Sequence, residues 1–126
     1  MQDNPPALQV LDIVIADLRD NKLPSLTGRP QFEMRVTLSA LQLVRRSMAL
    51  TPASDAAELK RLTDLLGQAG DLGTLNRLLT ERIAAGEMDI ETPGLAAHLR
   101  QTAIEKLAVD QPNYSAYRRA TEQEKT

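Results

Sequence analysis

The chain has no cysteine and no tryptophan, and its 126 residues include one phenylalanine, two tyrosines and one histidine. Without cysteine there can be no disulfide, no thiol nucleophile and no Cys-based zinc site. With few aromatics, the 42% apolar content is mostly Leu, Ala, Ile, Val and Met, a set that favours helices over pleated strands. A basic excess is also missing: the formal charge is −2, which argues against a general nucleic-acid binder. Long apolar runs are absent too. Ile13-Val14-Ile15-Ala16 falls far short of the ~20 residues that cross a bilayer. The opening Met1-Gln2-Asp3-Asn4-Pro5-Pro6 is acidic and proline-broken, unlike a targeting leader. These absences predict a soluble cytoplasmic protein, with no membrane and no nucleic-acid partner. The length suits one domain.

What is present reads as five helices. Pro5-Pro6 opens the first behind Asp3 and Asn4 as candidate caps, with Leu8, Leu11, Val14, Ile15 and Leu18 on one side; Leu23-Pro24 should stop it near Lys22. The second, predicted over 30–49, is apolar on most of its circumference and therefore reads as the central helix, with Val36, Leu41 and Val44 in the core. Thr51-Pro52 predicts a break, and Asp55 with Glu58 has capping-box spacing for a helix over 55–67. Asp71 is a candidate cap for a helix over 72–85 whose stop is Gly86. The last spans 93–108, with Leu95, Leu99, Ala103, Ile104 and Leu107 inward. Short loops favour antiparallel neighbours. The expected fold is thus all-α: a single-domain antiparallel bundle of about five helices over 1–110. A non-helical, tyrosine-containing tail over 111–126 should follow it, disordered at its end.

Chemistry is hard to find in these residues. His98 shares one side of its helix with Thr102 and Glu105, yet acid–base or metal chemistry needs more groups converging on it; it reads as a boundary or surface histidine. Gly67, Gly70 and Gly73 lack phosphate-loop spacing and read as helix stops. No catalytic, cofactor-binding or metal-binding set emerges, so none is assigned. Two features stand out. Arg35, Ser39, Gln42 and Arg46, spaced four, three and four, form a polar seam along the second helix. Two guanidinium groups there could hold a carboxylate or phosphate, although a solvated strip is the commoner meaning. In the first hairpin Asp17 would lie near Arg35. The other feature is Tyr114 and Tyr117, behind Pro112. Rings of this kind seek a docking surface, with Tyr114 expected as the firmer anchor, Tyr117 the looser one, and order fading beyond Arg119.

Several segments resemble a small uncharacterised bacterial family of all-helical domains. They are Leu26-Thr27-Gly28-Arg29 with Phe32, Arg35-Val36 and Val44-Arg45-Arg46, then Asp71-Leu72 with Leu75-Asn76-Arg77, Ala85-Gly86-Glu87, and Lys106 to Pro112 with Tyr114. That family occurs beside or fused to aminoglycoside-phosphotransferase-like kinases and near acyl-CoA dehydrogenases. The resemblance implies a helical accessory domain working near an enzyme that carries its own catalytic residues. The leading expectation is a non-enzymatic interaction domain whose partner is a phosphotransferase-like enzyme or a second copy. The alternative is a small-ligand bundle that holds an acyl or phosphorylated group on the Arg35–Arg46 seam. DNA binding through a helix-turn-helix lacks a basic recognition helix.

Overall fold

A computed structural model describes residues 6–125. It is all-α: α1 (Ala7–Asp17), α2 (Gly28–Leu66), α3 (Leu72–Ala84), α4 (Leu95–Asp110) and α5 (Ser115–Glu124), with no strand among the described residues. Asp3, Asn4 and Pro5, named as caps and opening residue of the first helix, lie outside the described residues; Pro6 takes the position before α1. After α1 the backbone loosens into a π-helical turn, Leu18–Lys22, and then tightens into a 3-10 turn, Leu23–Ser25. Pro24 sits inside the 3-10 turn, and the chain becomes extended only at Leu26.

The expected break at Thr51-Pro52 does not occur. Pro52 sits inside α2, where it removes one backbone donor and crowds the carbonyl of Met48, a cost of about 3 kcal/mol. The strong helix formers Ala53, Ala56, Ala57, Leu59 and Lys60 carry the helix past it. Asp55 and Glu58 are consequently mid-helix and form no capping box. The Glu58 carboxylate instead accepts from Asn76 Nδ2 at 2.9 Å. Proline still marks a boundary, because contacts group the chain into two compact units, Met1–Thr51 and Pro52–Thr126.

Among the described residues of the first unit only Ile15 and Leu38 are buried. Arg45 Nε donates to Asp12 Oδ1 at 2.6 Å across the hairpin. Both partners are about half exposed, so solvent screens the pair and it contributes little. The expected Asp17–Arg35 pair is not the one that forms; Asp17 accepts from Asn21 at 2.9 Å. Nor is the first part of α2 central. Val36 is 54% and Val44 47% exposed, and Leu41 is half-buried. One short helix, α1, cannot cover a neighbour that is apolar on most sides.

The second unit holds the core. Leu62 and Leu66 of α2, Leu75 and Leu79 of α3, Met88 and Leu95 form one buried cluster, with Leu62 and Leu75 wholly enclosed. As expected, Asp71 caps α3, accepting from the Thr74 backbone N–H at 2.8 Å. Gly86, at φ +76°, ends it. The Glu87 and Gly86 N–H groups reach back to the carbonyls of Arg82 and Ile83 at 2.9 and 3.1 Å, closing a Schellman turn. On α4, Leu95 is buried as expected, but Leu99 is 46% exposed and His98 is buried instead. The tail over 111–126 is not non-helical: α5 occupies Ser115–Glu124 and packs on α4. Pro112 stops α4 only locally, and Ala, Arg, Glu and Gln beyond it are helix formers.

The core predicts its own test. Leu62→Ala or Leu75→Ala should lower the unfolding free energy by ~2–5 kcal/mol, through lost transfer energy and a cavity. Leu41→Ala, at a half-buried site, should lower it by clearly less. Chemical denaturation followed by circular dichroism checks this; equal losses at the three sites would contradict the packing described.

Candidate functional site

The four seam residues keep to one strip of α2, with Arg35 and Ser39 exposed and Gln42 and Arg46 half-buried. They line neither of the two clefts described below. The tyrosines reverse their expected order. Tyr114 is 49% exposed, because it occupies the extended position that precedes α5. Tyr117 lies inside that helix, half-buried with Ala116, Ala120 and Thr121, whose spacing defines the inner side of α5.

A polar cluster that the sequence only half suggested is built around Arg61 of α2. Its Nη1 and Nη2 reach the two carboxylate oxygens of Glu105 at 3.0 and 2.9 Å. Nη2 also donates to Thr102 Oγ1 at 3.3 Å, and Nε to His98 Nδ1 at 3.4 Å. His98, Thr102 and Glu105 stand four and three apart on α4 and so share one side of it. That alignment was legible. Arg61 was not, because no local pattern distinguishes it from the other charged residues of its helix.

The electrostatics follow from this geometry. The bidentate hydrogen bonds from Arg61 hold the Glu105 carboxyl below its ordinary range, helped by Gln101, which donates to it at 3.3 Å. Burial first, and the Arg61 charge second, push the His98 imidazole below its ordinary value. The ring is therefore neutral, and with Nδ1 accepting, its proton sits on Nε2. Arg61 also stands between His98 and Glu105, and its Nε is the group that meets the imidazole. Among the described residues no group of three or more His, Asp or Glu side chains is placed to hold a metal ion. The cluster clamps α4 to α2.

Two clefts lie in the second unit. One, of about 520 Å³, is bordered by Arg61, Asp64, Pro93, Ala97, His98 and Gln101. The other, of about 400 Å³, lies where the end of α3 and the α3–α4 loop meet α4, and is walled by Ile83, Asp89, Ile90, Leu95, Ala96 and Leu99. Ile90 at its edge is 82% exposed.

Acid should loosen the clamp. His98 is depressed from an ordinary 6.5, so its contribution to stability is complete above that pH and is lost as pH falls through the folded value. Glu105, depressed from 4.5, acts in the same direction at lower pH. Unfolding free energy should decline on acidification. His98→Gln should flatten the decline just below pH 6.5 and Glu105→Gln the part below pH 4.5. Unchanged slopes in both variants, measured by denaturation across pH, would contradict the assignment.

Comparison with known proteins gives one family. A model described as a domain of unknown function, DUF6285, matches residues 24–114, a span that takes in α2, α3, α4 and the stretch from Leu26 to Tyr114 quoted above. No curated protein and no solved structure matches the chain.

Proposed function

The chain belongs to the DUF6285 family, and from that premise we propose that it is a non-enzymatic helical accessory domain that docks on a protein partner. The observation that supports this is the apolar groove beside Ile90. An isoleucine 82% exposed on a loop, next to a recess walled by Ile83, Leu95 and Leu99, is the arrangement of an anchor residue at an interface. The polar cluster supports the same reading, because Arg61 and Glu105 satisfy each other and leave no activated group for chemistry. The partner we propose is a phosphotransferase-like enzyme in the cytoplasm, the class implied by the sequence resemblance. No helix among the described residues is long and apolar enough to cross a membrane.

The test is co-expression with such an enzyme and measurement of complex formation. Ile90→Asp should weaken the complex by at least ~30-fold, the loss expected of an anchor residue, and leave the melting temperature unchanged because the side chain is exposed. Equal affinity in the variant, or no complex with the parent chain, would sink the reading.

A small-ligand function is the second reading, and the cleft beside Arg61 favours it by size. The Arg61 charge is already met by Glu105, so that cleft suits a neutral hydrogen-bonding group better than the acyl or phosphorylated group expected on the Arg35–Arg46 seam. Phosphate or acyl-CoA should therefore leave the melting temperature unchanged, and Arg35→Gln, at an exposed site, should alter stability by less than ~0.5 kcal/mol. Tight phosphate binding that is lost on Arg46→Gln would restore the seam as the site.

A further inference from the structure

His98 carries a hydrogen-bond donor that the Arg61 cluster does not use. The residue is 4% exposed, and its Nδ1 accepts from Arg61 Nε, which leaves the ring proton on Nε2. No acceptor among the described residues meets that Nε2–H. Yet among the same residues every enclosed side-chain nitrogen and oxygen has a hydrogen-bond partner. Nε2 is therefore not enclosed, and the opening that His98 borders is the cleft of about 520 Å³. A nearly buried imidazole thus presents one unused donor to that cleft.

The lining around the donor has a definite chemistry. Gln101 borders the same cleft, and its Nε2 donates to Glu105 at 3.3 Å. Because a carboxylate only accepts, that bond fixes the amide orientation and leaves Gln101 Oε1 as an acceptor. His98 and Gln101 stand three apart on α4, so they are neighbours on one side of it. Leu65, Pro93 and Ala97 add apolar wall, and Asp64 stands exposed at the rim. The Arg61 charge is already met by Glu105, so the charge left over at the cleft is the negative one of Asp64.

We infer that this cleft binds a small uncharged carboxamide, whose carbonyl oxygen accepts from His98 Nε2 and whose N–H donates to Gln101 Oε1. The inference rests on the small-ligand reading of the cleft and is independent of docking at Ile90. An amide carries an acceptor and a donor side by side without net charge, which is what the two neighbouring side chains require. A carboxylate would set like charge beside Asp64 and an acceptor against Gln101 Oε1. An ammonium group would leave the His98 Nε2–H with nothing to donate to. Burial keeps the imidazole itself neutral, so donor and amide meet with no charge to strip of water. The apolar wall receives the body of the ligand, as in most small-molecule sites.

Benzamide and benzoate, which share a ring and differ in one group, are the probes. The chain has one histidine, so isotope labelling of histidine gives a single imidazole whose Nε2 resonance reports the site directly. Titrating benzamide into the full chain should move that resonance saturably, with a dissociation constant on the order of 1 mM for a ligand of so few atoms. Benzoate should bind at least ~10-fold more weakly, because its charge would lose water beside Asp64. Asp64→Asn, at an exposed site, should narrow that gap. Ala97→Phe, at an exposed position on the cleft wall, should fill the cleft and abolish the shift while helical circular dichroism is retained. Ile90→Asp should bind benzamide as the parent does. An Nε2 resonance that benzamide does not move, benzoate binding as tight as benzamide, or a full shift in Ala97→Phe would overturn the proposal. Binding of either probe with Nε2 unmoved would sink this inference and leave the small-ligand reading standing, so the two failures are distinguishable.

Discussion

Leu62 and Leu75, the two side chains with no exposure at all, hold α2 against α3, and the rest of the second unit takes its register from them. With Leu62 turned into the core, its neighbour Arg61 is brought beside α4, where only a residue with several donors can be satisfied. Glu105, Thr102 and His98 meet those donors. The clamp is thus a consequence of leucine packing: an arginine at the rim of the core, with fixed geometry, is acceptable only if its charge and its N–H groups all find partners. The imidazole stays neutral first because it is buried, and second because the Arg61 charge beside it opposes another cation.

The two units differ in how they use apolar residues. In Pro52–Thr126, leucines from α2, α3 and α4 converge and enclose one another. Among the described residues of Met1–Thr51 similar side chains have a single short helix to pack on, and many remain exposed. A hairpin of two helices has too little interior to bury several sides of one of them. The exposure of apolar residues on α2 is therefore a property of the topology, set by how few helices the unit contains.

That contrast also explains what could be read from the sequence. Signals that act within one turn were legible: Asp71 as a cap, Gly86 as a stop, Leu23-Pro24 as the end of the first helix. Each depends on a few neighbouring residues and one backbone conformation. Pro52 failed as a break because the helix formers that follow it outweighed one lost hydrogen bond. Pro112 ends α4 as expected, but the helix formers beyond it carry the chain into α5, Ser115–Glu124, which the local turn signal around the tyrosines does not report. The centrality of α2 failed because periodicity reports which sides of a helix are apolar and does not report what lies against them. His98, Thr102 and Glu105 were correctly placed on one side of their helix, and the arginine that unites them lies 37 residues before His98, beyond any local pattern.

These physical limits bear on function. The polar residues brought together here satisfy one another: Arg61 is occupied by Glu105, and burial keeps His98 neutral. Apolar groups are less enclosed: Ile90 at its groove, and Phe32 and Val36 on α2, are exposed. Under the proposed reading the polar interior sets the relative positions of α2 and α4, that register positions the groove, and the exposed aliphatic side chains supply the contacts. The order matters. Loosening the Arg61 clamp would shift α4, and Leu95, Ala96 and Leu99, which wall the groove, stand on the same helix as His98 and Glu105, so the recognition surface and the clamp are parts of one element.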